Sequence, residues 1–140
     1  MPTLSPAAPA PLRPPTATCI VVVDDDEDIR ELVAFKLRAA GYRTLTAADG
    51  DAGLELALRE RPDLMILDVS MPGMDGLAVC GQVHRKAEMA DLPVLILSAR
   101  AMPYDIDLGL AVGADDYMTK PFSPAELLSR VDALLAGNRR

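Results

Sequence analysis

Basic residues are scarce in this chain, with 14 Lys and Arg against 21 Asp and Glu and a formal charge of −7. Nucleic acid binding by this segment is excluded on that ground, because neutralising phosphates needs a basic face. An acidic domain of this kind meets proteins or cations. Cysteine is almost as rare: Cys19 lies in a strand-like run and Cys80 in a helix-like one. The pair makes neither a CxxC motif nor a disulfide framework, so both read as small core residues of a reducing cytoplasm. Long apolar runs are missing too, as are the basic start and apolar core of a signal peptide. No membrane contact and a cytoplasmic location are expected.

What is present suits one domain, since the 140 residues are half apolar. Residues 1–17 hold half of the 12 prolines among Ala, Thr and Ser, which predicts a disordered extension without packing of its own. Residues 18–137 alternate short apolar runs with helical periodicity, and 138–140 are a C-terminal tail.

The first run, Cys19 to Val23, reads as a buried strand by its β-branched content and stops at Asp24-Asp25-Asp26-Glu27-Asp28. Ile29, Leu32, Val33, Leu37 and Ala40 then recur at helical spacing, with Gly41 as the stop. A weaker strand spans Arg43 to Ala47, and Asp49 caps a helix running to about Glu60. The apolar run from Leu64 ends at Asp68, followed by a loop with Pro72 and Gly73 that continues neither strand nor helix. Asp75-Gly76 starts a helix to about Ala87; Pro93 to Leu97 is a fourth strand ending at Ser98. A poorly patterned helix covers Tyr104 to Val112, and a short strand from Asp116 to Thr119 ends at Lys120-Pro121. In the last helix Ser123 caps, Pro124 takes the first turn and Glu126 reaches back. This alternation predicts an α/β fold, a doubly wound parallel sheet with helices on both faces.

In such sheets ligands sit beyond the C-terminal strand ends. Those ends carry Asp24 and Asp25, Asp68, Ser98 and Lys120, which the topology brings to one edge. Three carboxylates without His or Cys make a hard oxygen environment suited to Mg²⁺ or Mn²⁺. A carboxylate beside a metal and a lysine can attack a phosphoryl group and form an aspartyl phosphate, with Lys120 and the Ser98 hydroxyl within reach of its oxygens. Singly, each group has a plainer use: helix capping for Asp24 to Asp28, turn initiation for Asp68, a strand-end hydroxyl for Ser98, a surface lysine for Lys120. Their convergence favours phosphoryl transfer. His84 reads as part of a solvated helix face, and Met71, Met74, Met89 and Met102 as gap fillers.

At these residues the sequence resembles the receiver domain of bacterial two-component response regulators. The motifs are Val22-Val23-Asp24-Asp25, Leu67-Asp68 with Met71 to Gly76, Leu97-Ser98-Ala99, and Gly113 to Tyr117 leading into Lys120-Pro121-Phe122. The resemblance implies a flavodoxin-like (βα)5 fold with strand order 2-1-3-4-5. It implies Asp68 as phosphoacceptor, supplied by a sensor histidine kinase or a phosphotransfer protein. Asp24, Asp25, Asp68 and the Ser70 backbone carbonyl would hold the metal. Ser98, Lys120 and Tyr117 would bind the phosphoryl group or switch with it; Ala99 would leave access, and Pro121 would follow a cis bond. Signalling would pass through the fourth helix, fifth strand and fifth helix to a downstream protein or a fused output domain.

The last third also resembles receivers that precede winged-helix DNA-binding domains, whose closing elements form a symmetric dimer held by ion pairs. Asp116, Glu126 and Arg130 match participating positions, whereas Ile106 stands where a basic residue is usual and Asp105 and Asp107 add negative charge. Ser70 and Arg100, beside the site, are expected to tune the lifetime of the phosphorylated state. Two other readings remain open: a Mg²⁺-dependent phosphatase with an aspartyl nucleophile, which lacks a second carboxylate where Ser70 stands, and a receiver-like interaction module that is never phosphorylated.

Overall fold

The computed structural model describes residues 18–137; the expected extension over 1–17 and the tail over 138–140 lie outside the described residues. Five strands, β1 (Cys19–Val23), β2 (Arg43–Ala47), β3 (Leu64–Leu67), β4 (Val94–Ser98) and β5 (Asp116–Thr119), alternate with α1 (Glu27–Ala39), α2 (Gly50–Glu60), α3 (Gly76–His84), α4 (Pro103–Val112) and α5 (Pro124–Gly137). The strands form one sheet in the order β2-β1-β3-β4-β5, every neighbouring pair parallel. This is the flavodoxin-like arrangement.

Parallel strands covered on both faces need apolar side chains in both directions, which is why β1, β3 and β4 read as unbroken runs. Val21, Val23, Met65, Leu67 and Ile96 pack with Leu56, Ala57, Val79, Cys80 and Val83 under α2 and α3. Ile20, Val22, Ile66, Leu95 and Leu97 pack on the other face with Val33 and Leu37 of α1 and Leu127, Val131 and Leu135 of α5. Each fully buried Leu or Val contributes about 1.5–3 kcal/mol.

Short polar side chains start four of the helices. Asp26 Oδ1 accepts from the N–H groups of Asp28 and Ile29 at 3.0 and 3.2 Å, and Asp49 and Asp75 do the same for Ala52 and Ala78 at 2.8 and 2.9 Å. Ser123 Oγ accepts from Glu126 N at 3.3 Å. Glu126 does not complete that box: its carboxylate pairs with Arg130, one turn on, at 2.8 Å. At α4 the cap residue is Met102, and only the reverse half of a capping box forms, Met102 N donating to Asp105 Oδ2 at 3.3 Å.

Helix α3 is shorter than its periodicity suggests, ending at His84 rather than near Ala87. Arg85 and Lys86 donate to carbonyls three residues back, Lys86 turns extended, and a 3₁₀ turn at Ala87–Met89 returns Met89 to the core. Met102 is a second difference: it is 68% exposed and fills no gap.

Candidate functional site

The sheet delivers its charged groups as the strand exits predict. Parallel register carries β1 and β3 to the same level, where Asp68 N donates to Val23 O at 3.0 Å and Asp24 N to Ala47 O at 3.2 Å. Asp24 and Asp68 therefore stand side by side at the switch point between β1 and β3, both buried, with Asp25 exposed beside them. Carboxylate oxygens from all three lie within 4.8 Å of one another. From the end of β5 Lys120 Nζ reaches Asp24 Oδ2 at 2.8 Å and Asp68 Oδ2 at 3.5 Å. The peptide bond from Lys120 to Pro121 is cis.

The acidic run after β1 divides its work. Asp24 and Asp25 face the pocket, while Asp26 caps α1; Asp24 Oδ1 also accepts from Asp26 N at 2.9 Å. Arg30, unremarked in the sequence, donates through NH1 to Asp24 O at 2.9 Å and braces the turn. Asp68 receives one backbone donor, Ser70 N, on Oδ1 at 3.1 Å.

Burial pushes the Asp68 carboxyl above the usual aspartate value and the neighbouring Asp24 charge adds to this, against the pull of Lys120 and the Ser70 N–H. Burial, the largest influence on Lys120, acts to lower it, yet the combined hold of Asp24 and Asp68 keeps the ammonium above the ordinary lysine range. A cationic lysine thus faces crowded carboxylates that one ammonium does not neutralise.

Ser98 is fully buried at the end of β4, its Oγ accepting from Arg100 N at 3.1 Å, and Ala99 beside it is exposed. Tyr117 lies inside, its hydroxyl donating to Arg100 O at 2.7 Å. Arg100 Nε in turn donates to Ser70 Oγ at 2.8 Å. One residue therefore ties the loop after Asp68, the Ser98 hydroxyl and the buried Tyr117 together.

Asp116, Glu126 and Arg130 are not part of this cluster. They pair with one another in the same chain, Arg130 NH1 with Asp116 at 2.9 Å and NH2 with Glu126 at 2.8 Å. His84 is half-buried rather than solvated, and its Nε2 meets Leu92 O at 2.8 Å, which makes that nitrogen the donor. The signal for this was its place four residues after Cys80, on the buried side of α3. A cleft of about 780 Å³ lined by His84, Asp91 and Asp115 lies at the other end of the strands, away from the carboxylates.

The model of the response regulator receiver domain family matches residues 20–132. The chain is 48% identical over 116 residues to the alkaline phosphatase synthesis transcriptional regulatory protein PhoP of Bacillus subtilis (strain 168), covering 83% of this chain and 48% of that protein. It thus spans about half the length of this curated relative. Among solved structures, the chemotaxis protein CheY4 of Vibrio cholerae superposes with a TM-score of 0.80 at 36% identity, covering 84% of this chain and 98% of that one. The BeF3-activated N-terminal receiver domain of Klebsiella pneumoniae RstA does so with a TM-score of 0.79 at 32% identity, covering 88% and 100%. No helix among the described residues is long and apolar enough to cross a membrane. With its fold and its match over residues 20–132, the chain belongs to the response regulator receiver domains of two-component signalling systems.

Proposed function

We propose that Asp68 is the phosphoacceptor of this receiver, and that its donor is a sensor histidine kinase or a phosphotransfer protein of the same cytoplasm. The observation that carries this reading is the meeting of Asp24, Asp25 and Asp68 within 4.8 Å, with Lys120 Nζ 3.5 Å from Asp68. The donor set is all oxygen and keeps an excess of negative charge after Lys120 is counted, which fits Mg²⁺ or Mn²⁺. Asp24, Asp25 and Asp68, together with the Ser70 backbone carbonyl, would hold the ion. Once bound, it supplies neutralisation of the carboxylates and of the phosphoryl oxygens.

The chain's own residues do the rest. A carboxylate oxygen of Asp68 attacks phosphorus, an O–P bond forms, and the P–N bond to the donor histidine breaks with its electron pair leaving on the imidazole. Lys120, already between Asp24 and Asp68, takes up the charge of the arriving oxygens. Ala99 keeps the approach free of a large side chain. The Ser98 hydroxyl turns toward the phosphoryl group and gives up its contact with Arg100 N, while Tyr117 keeps its bond to Arg100 O. Phosphorylation thereby shifts the population of conformers in the segment that leads into α4, and the surface of α4, β5 and α5 signals the change.

Output passes to a downstream protein or to a fused output domain. The Bacillus relative is named a transcriptional regulatory protein, which favours a DNA-binding output; the winged-helix type is what the resemblance of the last third implies. A homodimer through α4, β5 and α5 would have to exchange the intrachain pairs of Arg130 with Asp116 and Glu126.

Thermal denaturation with Mg²⁺ and beryllofluoride, a mimic of the phosphoryl group, tests the pocket. A ligand at roughly a hundredfold excess over its Kd adds about 2.7 kcal/mol, a rise of order 10 °C in Tm. The full rise should need both components and should vanish in the Asp24→Asn, Asp25→Asn chain. No rise with both present, or the same rise in that variant, would remove the metal and phosphoryl reading.

A further inference from the structure

Seven large hydrophobic residues are exposed in the described chain, and four of them, Met102, Tyr104, Leu108 and Leu110, belong to α4 and its cap. Scattered single exposures are ordinary on a protein surface; four on one short element make a patch. Helical spacing arranges them. Tyr104, Leu108 and Ala111 follow at i, i+4 and i+7 along the outer side, while Gly109 packs inward, where an added Cβ would meet Ile96 and the Tyr117 ring at 2.9 and 3.1 Å. Pro103, Asp107 and Leu110 form the next row, which sets the exposed Asp107 carboxylate among apolar neighbours. No ion pair reaches Asp107 among the described residues.

The charge of this region has one sign. From Ala101 to Thr119 there are four aspartates, Asp105, Asp107, Asp115 and Asp116, and no Lys, Arg or His. The cations that follow are already engaged, Lys120 by Asp24 and Asp68 and Arg130 by Asp116 and Glu126. We propose that the outer face of α4 docks a cationic amphipathic helix of another protein, with apolar residues set against Tyr104, Leu108 and Leu110 and a Lys or Arg against Asp107. Two helices of this kind interlock ridge into groove, and the central ion pair fixes their register. A second copy of this chain fits poorly. A two-fold interface presents the same patch to itself, so it would double the aspartates, and the Arg130 of each copy is already held by its own Asp116 and Glu126. The proposal deepens the output reading above and rests on it for regulation by phosphorylation; the docking chemistry itself stands on the α4 surface.

The probes are two synthetic helical peptides with one leucine face, flanked by Lys in one and by Glu in the other, titrated calorimetrically against the whole chain with and without beryllofluoride and Mg²⁺. The Lys peptide should bind at least about tenfold more tightly than the Glu peptide. Tyr104→Ser and Leu108→Ser should each weaken it by about tenfold, and Asp107→Lys should reverse the ranking of the two peptides. Asp51→Lys, in the exposed apolar cleft of α2 with Leu54 and Leu58, should leave the ranking unchanged. A ranking untouched by Asp107→Lys, or moved equally by Asp51→Lys, overturns the proposal. So does sedimentation showing a dimer that Tyr104→Ser abolishes while neither peptide binds. The same proteins, incubated with acetyl phosphate and weighed intact, separate the two readings. Phosphoryl uptake without the peptide ranking defeats the docking surface alone; the ranking without phosphoryl uptake defeats the phosphoacceptor alone.

Discussion

The Asp68→Asn chain is expected to take up no phosphoryl group from acetyl phosphate and, free of metal, to melt above the native chain. An amide oxygen cannot form the acyl phosphate, so the rate of adduct formation should fall by at least about a thousandfold, the scale on which a missing nucleophile acts. The shape of the site survives the change, because the Asn carbonyl can still accept from Ser70 N and Lys120 keeps its 2.8 Å contact with Asp24. Stability should rise because the folded protein holds Asp68 with a raised pKa, through burial first and the Asp24 charge second. An acid raised on folding costs stability when ionised, so the cost is full at pH values above the folded pKa. It fades as pH falls from that value toward the ordinary aspartate value near 3.8. The variant's advantage should therefore be present at neutral pH, on the order of 1 kcal/mol for each pKa unit, and disappear in acid. Calorimetry of both proteins in EDTA across that range measures it. Equal melting at neutral pH, or an advantage confined to acid, would show that the carboxylate crowding is not felt.

A large structural effect is expected at Gly76. A Cβ there would sit 2.2 Å from the backbone oxygen of Asp68 and 2.8 Å from its carbonyl carbon, with Val69 Cα at 3.2 Å. Backbone cannot step aside as a flexible side chain can, so Gly76→Ala must displace either the start of α3 or Asp68 itself. The expected loss is about 3 kcal/mol or more, accompanied by slower phosphoryl uptake, since the displaced group carries the reacting carboxylate. Gly81→Ala, farther along α3 with nothing within 4 Å of the new methyl, should instead stabilise by about 0.5–1 kcal/mol. Urea denaturation of the two variants checks both signs. A Gly76→Ala chain within about 0.5 kcal/mol of native, within the range of an ordinary surface change, would mean that α3 does not approach Asp68 so closely.

The strands were legible because a sheet covered on both faces imposes unbroken apolar runs, as in β1, β3 and β4, each running out at a polar residue: Asp24 and Asp68 in the carboxylate cluster, and Ser98 at the end of β4. The cluster was legible for the same reason: parallel strands align their ends, so Asp24, Asp68 and Lys120 could be put at one edge without knowing any distance. What could not be read was the division of labour inside Asp24 to Asp28, where one carboxylate caps a helix while its neighbours face the pocket. Local sequence says nothing of long-range partners. Glu126 fits a capping box by spacing but is taken by Arg130, and α3 stops early because its last residues turn back to seat Met89. Helix α4 gave a weak signal since Tyr104, Leu108 and Leu110 leave it apolar on its outer as well as its inner side.

Intact mass of the native chain after incubation with acetyl phosphate tests the central claim most directly, with Mg²⁺ in one arm and EDTA in the other. One phosphoryl group should be added, only with the metal, and removed by hydroxylamine as an acyl phosphate is. No adduct in either arm and no phosphate released would contradict the account in favour of an interaction module that is never phosphorylated. Continuous release of phosphate at a steady rate would contradict it in favour of a phosphatase.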